Sequence, residues 1–356
     1  MQILQVRVGR LDTALRCPFR TALRTTSTIP GVVLRVETSD GVGWGSAAAT
    51  PAITGDTEAA ILSDLAEAAH RLRGAHWEHP NELLDQLDLA TRSARAAVDI
   101  ALHDVWAQSA QEPLWRLLGA SRPSLETDLT ISIDQPQTMA GKAADAVARG
   151  FGILKVKLGD PELDPARLAA VRAAAPQARL RVDANQAWTA DQAVRLVTGF
   201  EEAGLGVELV EQPVARHDLD GLRGVTAAVS TPVLADEAVF TADDARRVIE
   251  MQAADLINVK LMKAGGLSGA LAVTGLAAEA GVDCMVGAMM EPTIGIAAAA
   301  ALACGQQCVT MADLDPPLLA ASEPVTGALT VDGPRLSLSD RPGLGVQQVA
   351  GVAWLD

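Results

Sequence analysis

From Leu129 onward the chain repeats one unit eight times, and this repeat limits the possible folds more than any other feature. Short runs rich in aliphatic and β-branched residues centre near Thr130, Lys155, Arg181, Leu209, Leu234, Ile257, Met285 and Met311, at separations of 25, 26, 28, 25, 23, 28 and 26 residues. Between them lie Ala/Leu/Arg-rich stretches of helical period, including Met139–Arg149, Ala190–Glu202, Ala242–Gln252 and Ser268–Ala280. Strand, helix and strand at this spacing require right-handed parallel crossovers, and eight such units close a barrel better than they fill an open sheet. The expected fold class is α/β, a (β/α)8-type barrel of the TIM kind. It is modified at its end, where Asp315-Pro316-Pro317 leaves little room for an eighth helix.

The residues before the repeat read differently. Strands at Leu4–Val8, Val32–Glu37 and Gly43–Ser46 precede helices at Glu58–Arg73, Glu82–Leu87, Ser93–Gln108 and Leu114–Leu118. The expected organisation is an α+β capping domain over 1–120, a barrel carrying the active site over 121–316, and a segment over 317–356 that packs back on the cap. Gly41, Gly43 and Gly45 alternate, but no helix follows them as a dinucleotide loop requires, so they mark a hairpin.

Composition removes several function classes. With 29 basic against 44 acidic residues, a net charge of −15 and 3% aromatic content, the chain suits neither nucleic acid nor an anionic membrane surface. There is no Tyr, so general acid–base work falls to Lys, His, Asp or Glu. Cys17, Cys284, Cys304 and Cys308 form neither a disulfide framework nor a zinc motif and are expected to be buried thiols. Arg7 and Arg10 interrupt any signal-peptide core, and the apolar stretch Ile294–Cys304 is too short to span a bilayer. A soluble, cytoplasmic protein is expected.

Active sites of such barrels form where the strands end, and here those ends are polar. Asp183, Glu211 and Asp236 close three consecutive strands at one depth. Three carboxylates so close repel unless a cation neutralises them, and an all-oxygen set points to Mg2+, with Mn2+ as a substitute. Asn185 and Glu237 stand beside these ligands in support. Lys157 ends the second strand and Lys260 the sixth, four strands apart, so they face each other across the mouth. A substrate carboxylate held between them presents its α-carbon to one amine on each face, the arrangement for inversion through an enediolate. A lysine base must be partly neutral near pH 7, about 3 units below its ordinary value, and Lys155 two residues away on the same strand face pushes in that direction. Lys263 lies past the strand end and reads as a loop residue. Asp313 and Asp315 on the eighth strand lie opposite the metal, where they would clamp a cation at the far end of the substrate. A carboxylate and an α-ammonium separated by the barrel mouth describe a dipeptide. Arg24 reads first as a surface arginine; if its loop closes over the mouth it pairs with an acidic side chain on the substrate.

Lys155-Val156-Lys157, VDANQAW at 182–188, VEQP at 210–213, ADE at 235–237 and NVKLMKAGG at 258–266 resemble the enolase superfamily, in particular its muconate-lactonising subgroup. Asp313-Leu314-Asp315 resembles the mark of the dipeptide epimerases within it, and the Arg20–Thr25 segment with Thr130 is similar to those acting on L-Ala-D/L-Glu. The resemblance covers essentially the whole chain. It implies that Arg24 holds a Glu side chain, that Lys155 and Thr130 touch the substrate, and that Ala288 and Met290 line its pocket. It also implies a homo-oligomer and a place in the recycling of cell-wall peptides. Pro292-Thr293 after Glu291 departs from the polar or basic pair expected for an Ala-Glu enzyme, which leaves the side-chain preference open.

The rivals within the subgroup are epimerases of apolar or basic dipeptides, N-succinylamino acid racemases, muconate cycloisomerases and o-succinylbenzoate synthases. The last three need no ammonium clamp, so Asp313 and Asp315 speak against them. Dehydratases with a late His base do not fit either, because all five His precede the fifth barrel strand. A non-catalytic binding protein on the same scaffold would be expected to lack a base or a ligand.

Overall fold

The computed structural model describes residues 1–355; Asp356, the last residue of the expected C-terminal segment, lies outside the described residues. The eight expected runs are strands: Leu129–Ile131, Ile153–Lys157, Arg179–Asp183, Val207–Glu211, Val233–Ala235, Leu256–Lys260, Cys284–Gly287 and Val309–Asp313. They lie side by side in chain order in one parallel sheet. The first and eighth strands carry no ladder between them. One long backbone bond, Asp128 N–H to Ala312 O at 3.5 Å, crosses that seam, and side chains do the rest: Leu314 N–H donates to Thr127 Oγ1 at 2.8 Å and Thr130 N–H to Asp315 Oδ2 at 2.7 Å.

Helices cover the outside, each apolar on the face it turns to the sheet. Ala190–Glu202 begins with a capping box between Thr189 and Gln192, and Ala242–Glu250 with one between Thr241 and Asp244. Pro136–Ala148, Asp164–Ala174 and Leu219–Ala228 fill the remaining early crossovers, and Leu267–Ala280 the sixth. The apolar stretch noted above becomes the seventh helix, Thr293–Gly305, buried along nearly its whole length. After the eighth strand the helix is a single turn, Pro316–Leu319. Among the described residues no helix is long and apolar enough to cross a membrane.

Inside the barrel, the strands' alternation directs every second side chain inward. Leu209, Leu234 and Met285 pack with Leu256 and Met311 in one apolar layer. Arg181 is buried beside it, its Nη1 donating to Asp128 Oδ2 at 2.9 Å and Ala312 O at 3.1 Å, its Nε to Glu208 Oε2 at 2.7 Å. A buried charge persists only when paired in this way.

The preceding residues form an antiparallel sheet of Ile3–Arg20, Thr25–Thr38 and Val42–Ala48, to which Ala353–Trp354 adds on the free side of the first strand. That first strand is far longer than the expected Leu4–Val8. Its pairing slips between Ala14 and Phe19, which breaks the apolar alternation that would have revealed it. The slip also leaves Cys17 exposed, against the expectation of a buried thiol; Cys284 is buried, and Cys304 and Cys308 are half-buried. Helix Arg92–Ser109 lies directly on Val42–Ala48. A Cβ at Gly43 would stand 2.2 Å from Ala101 O, and one at Gly45 1.8 Å from Ala97 O, so the alternating glycines permit this close approach. From the tail, Leu329–Asp332 and Arg335–Leu338 form a small sheet with Ser124–Glu126.

Candidate active site

The register of the barrel sets its polar residues in one row. Thr130 pairs with Lys155, Lys157 with Asp183, Asp183 with Glu211, Lys260 with Gly287, and Gly287 with Asp313. Just past the third and fourth strands the backbone turns left-handed at Asn185 (φ 44°) and Gln212 (φ 36°), a conformation uncommon outside glycine that concentrates at functional sites. Gln212 Oε1 then accepts from the backbone N–H of Asp236 at 2.9 Å and of Ala238 at 3.0 Å, tying the fifth strand's end to the fourth.

The row is a network of buried charges. Lys155 Nζ reaches Asp183 Oδ2 at 3.0 Å, Glu211 Oε2 at 2.6 Å and Asp313 Oδ2 at 2.6 Å. Lys157 Nζ donates to Asp183 Oδ2 at 2.5 Å, and Lys260 Nζ to Asp236 Oδ2 at 2.7 Å. Asn258 Nδ2 holds Glu211 Oε1 at 2.9 Å, Asn185 N–H holds Asp183 Oδ1 at 2.8 Å, and Asn185 Nδ2 reaches Glu237 Oε1 at 3.3 Å. A Cβ at Gly287 would stand 2.7 Å from Asn258 Oδ1 and 2.9 Å from Lys260 Cε, so this gap in the polar row makes room for both.

Burial raises every carboxyl here, and neighbouring charges decide the outcome. Lys157 and Lys155 overcome burial at Asp183, Lys260 and Lys263 at Asp236, and Lys155 at Asp313, so all three lie below the usual carboxylate range. Glu211 is pushed up to about 7 by burial and the Asp183 charge, and Glu237 to about 8 by burial and Asp236. Asp315 rises to about 6 through burial and Asp313. Burial lowers Lys155 and Lys260, but the carboxylates around each outweigh it and hold both above the ordinary lysine range. Lys155 pushes Lys260 downward, as expected, but Asp236 and Glu211 outweigh that push.

Above this floor lies a cavity lined by Lys157, Lys260, Asn185, Thr130, Asp313, Asp315, Ala288 and Met290, with Phe19, Leu23, Arg24 and Ile53 supplied by the N-terminal region. The structure therefore brings Arg24, Thr130, Ala288, Met290, Asp313 and Asp315 to the same space as the two opposed lysines. Arg24 has no ion-pair partner among the described residues, and burial lowers its guanidinium. Lys155 does not line the cavity but lies beneath it. The expected separation of Asp313 from the metal carboxylates by the width of the mouth is also corrected, because the Lys155 side chain bridges Asp313 to Asp183 and Glu211.

Two residues of this network were misread or missed. Lys263 is no loop residue. It sits in the short helix Leu261–Ala264, almost fully buried, with its Nζ on Asp236 O, on Asp236 Oδ1 at 2.6 Å and on Asn258 O at 3.0 Å. Asn258 was signalled by alternation, since it lies two residues before Lys260 on the same inward face.

Among the described residues no three acidic, His or Cys side chains stand ready around one point; ammonium groups lie on the carboxylates instead. Yet Glu211 Oε2 and Asp236 Oδ1 are buried without an aligned hydrogen bond, though Lys155 and Lys263 approach each within 2.6 Å. Buried, under-satisfied, oxygen-only donors on adjacent strands fit a hard divalent cation such as Mg2+.

The chain matches two family descriptions, "Mandelate racemase / muconate lactonizing enzyme, N-terminal domain" over residues 3–119 and "Enolase C-terminal domain-like" over residues 138–349. It is 43% identical over 354 residues to an L-Ala-D/L-Glu epimerase of Bacillus subtilis, covering 97% of each chain. The solved structure of a substrate-liganded complex of the Bacillus subtilis L-Ala-D/L-Glu epimerase superposes with a TM-score of 0.96 at 42% identity, over 99% of this chain and 100% of that one. A dipeptide epimerase of Enterococcus faecalis, solved with Mg and L-Leu-L-Tyr, superposes with a TM-score of 0.93 at 40% identity, over 98% and 100%.

Proposed function

The chain belongs to the mandelate racemase/muconate lactonizing enzyme family of the enolase superfamily, and on that premise we propose that it is a Mg2+-dependent dipeptide epimerase. It inverts the α-carbon of the C-terminal residue of a dipeptide, L-Ala-L/D-Glu in the first instance. The observation that carries this reading is the shared cavity of Lys157 and Lys260, from opposite strands, with Asp313 and Asp315 in the same wall.

Asp183, Glu211 and Asp236 hold the cation, with Asn185 and Glu237 in support. When bound, Mg2+ supplies positive charge that offsets these carboxylates and stabilises the enediolate form of the substrate carboxylate. Lys157 and Lys260 act as the two bases, one taking the α-proton as the other delivers a proton to the opposite face. Asp313 and Asp315 hold the α-ammonium. Thr130, Ala288 and Met290 shape the pocket around the peptide, Lys155 steadies the carboxylates below it, and Arg24 meets the Glu side chain. Mn2+ replaces Mg2+ on the same oxygen donors. The free thiols suit a reducing cytoplasm, where the substrates would be peptides recycled from the cell wall.

A second reading, epimerisation of apolar dipeptides, is favoured by Phe19, Leu23, Ile53, Met289 and Met290 around the single guanidinium. Incubation of a small L,L-dipeptide library in D2O with Mg2+, read by deuterium at the α-carbon, separates the two. Exchange on Ala-Glu above all others supports the first reading; exchange confined to peptides with apolar C-terminal residues replaces it with the second. No exchange on any member overturns both. Lys157→Met and Lys260→Met should each lose epimerisation by at least about 100-fold while keeping exchange on one diastereomer only.

A further inference from the structure

Lysine carries three N–H donors, and a buried lysine is stable only where its charge and donors are matched. Lys263 meets that condition with unusual economy. Its Nζ donates to Asp236 O at the end of the fifth strand and to Asn258 O within the sixth, and stands 2.6 Å from Asp236 Oδ1 as an ion pair without an aligned hydrogen bond. One ammonium thus joins two strand ends and holds its charge against one oxygen of a carboxylate. The other oxygen, Oδ2, is held by Lys260 at 2.7 Å. The two lysines differ in where they stand: Lys260 lines the cavity and Lys263 does not. Lys263 approaches from behind the carboxylate, over the ring of Phe240 at 5.7 Å, where a substrate cannot reach it. A residue that leaves Asp236 to move a proton cannot also keep it aligned, whereas Lys263 has no other task.

We propose that Lys263 is a positioning residue that fixes the Asp236 carboxylate for the divalent cation, independently of Lys260. This rests on the reading that Asp236 is a ligand of that cation. Two effects of its removal have opposite signs. Losing a nearby positive charge strengthens attraction for Mg2+, and losing the alignment of Asp236 weakens ligation; positioning predicts that the second prevails.

The test is calorimetric titration of Mg2+ into the metal-free enzyme, wild type against Lys263→Met and Lys263→Arg, together with kcat and KM at saturating Mg2+. Lys263→Met should bind Mg2+ at least about tenfold more weakly, the usual scale for groups that orient metal ligands. Its kcat at saturating Mg2+ should stay within about threefold of wild type, because Lys263 does not touch the substrate. Lys263→Arg keeps the charge but cannot place it, together with two backbone-directed donors, on one atom, so it too should bind Mg2+ more weakly; it carries the test alone where the Met variant does not fold. Wild-type or tighter Mg2+ binding in the folded variant overturns the proposal and leaves the ligand assignment standing. A wild type that binds no Mg2+ overturns the ligand assignment itself, and this inference with it.

Discussion

A carboxylate holds an ammonium only while it is ionised, and Asp315 lies close to that limit. Burial and the adjacent Asp313 charge push it up to about 6, whereas Asp313, beside Lys155, stays ionised well below that. As the pH falls through about 6, Asp315 takes up a proton, and the hold on an α-ammonium proposed for it weakens. We therefore expect kcat/KM for a free dipeptide to decline on the acid side of pH 6, and inhibition by an N-acetylated analogue, which has no ammonium, to lack that decline. Asp315→Asn should raise KM for the dipeptide about 10- to 100-fold, the scale of a hydrogen bond to a charged group, and remove the acid limb. A limb of the same shape for both ligands would count against the clamp. At this scale the sequence showed most of what matters. Strand alternation is local, so Lys157, Asp183, Glu211, Asp236 and Lys260 could be placed on the inward face from spacing alone. Lys263 could not, because a side chain on a single helical turn takes its direction from the strands it packs against. Nor could the bridge from Lys155 to Asp313, which depends on how far a four-carbon stem reaches across a barrel of unknown bore.

Helix Arg92–Ser109 joins the N-terminal sheet to the barrel, and two contacts along it make separate demands. On one side it meets Gly45, where a Cβ would collide with backbone rather than with a movable side chain. Gly45→Ala should cost about 1–3 kcal/mol of unfolding free energy, as overpacking does, measured by denaturant titration; a neutral effect would show that the helix can shift outward at no cost. On the other side Asp99 accepts from Ser268 N–H at 2.8 Å and Ser268 Oγ at 2.9 Å, at the start of helix Leu267–Ala280, while His103 Nδ1 lies 2.8 Å from Asp99 Oδ1. Burial lowers His103, but the Asp99 carboxylate outweighs it and the imidazole sits above its ordinary value. A group raised on folding stabilises fully below its unfolded value, near 6.5, and loses that contribution as the pH rises through its folded value. The Tm advantage of wild type over His103→Gln should accordingly shrink from acid to alkaline pH; a constant gap would exclude a charged His103. The sequence set the regular helices well because their caps and apolar stripes are local. It missed the length of the first strand, whose slipped pairing breaks the alternation, and did not identify Thr293–Gly305 as a helix. A segment enclosed on all sides has no polar stripe to reveal its period.

Across the whole molecule, carboxylates from four strand ends and lysines from the second and sixth strands and the turn after it meet in one buried layer, so cation binding is expected to be linked to folding. Mg2+ at about 100 times its Kd should stabilise the native state by about 2.7 kcal/mol, read as a rise in Tm that a chelator reverses. Identical melting with and without the ion would break that link. The sheet itself has a seam, and its closure has consequences for how this protein can change. Asp315 accepts the Thr130 N–H that joins the first strand to the eighth, and it also faces the cavity. A lineage drifting toward substrates without an ammonium gains nothing from this acid at the mouth, yet cannot discard it without loosening the closure of the cylinder. Arg24, held by no such duty, is free to vary. Evolvability is thus unevenly distributed around one pocket: the wall proposed to read the side chain can be rewritten cheaply, while the wall proposed to read the amino terminus is tied to the integrity of the barrel.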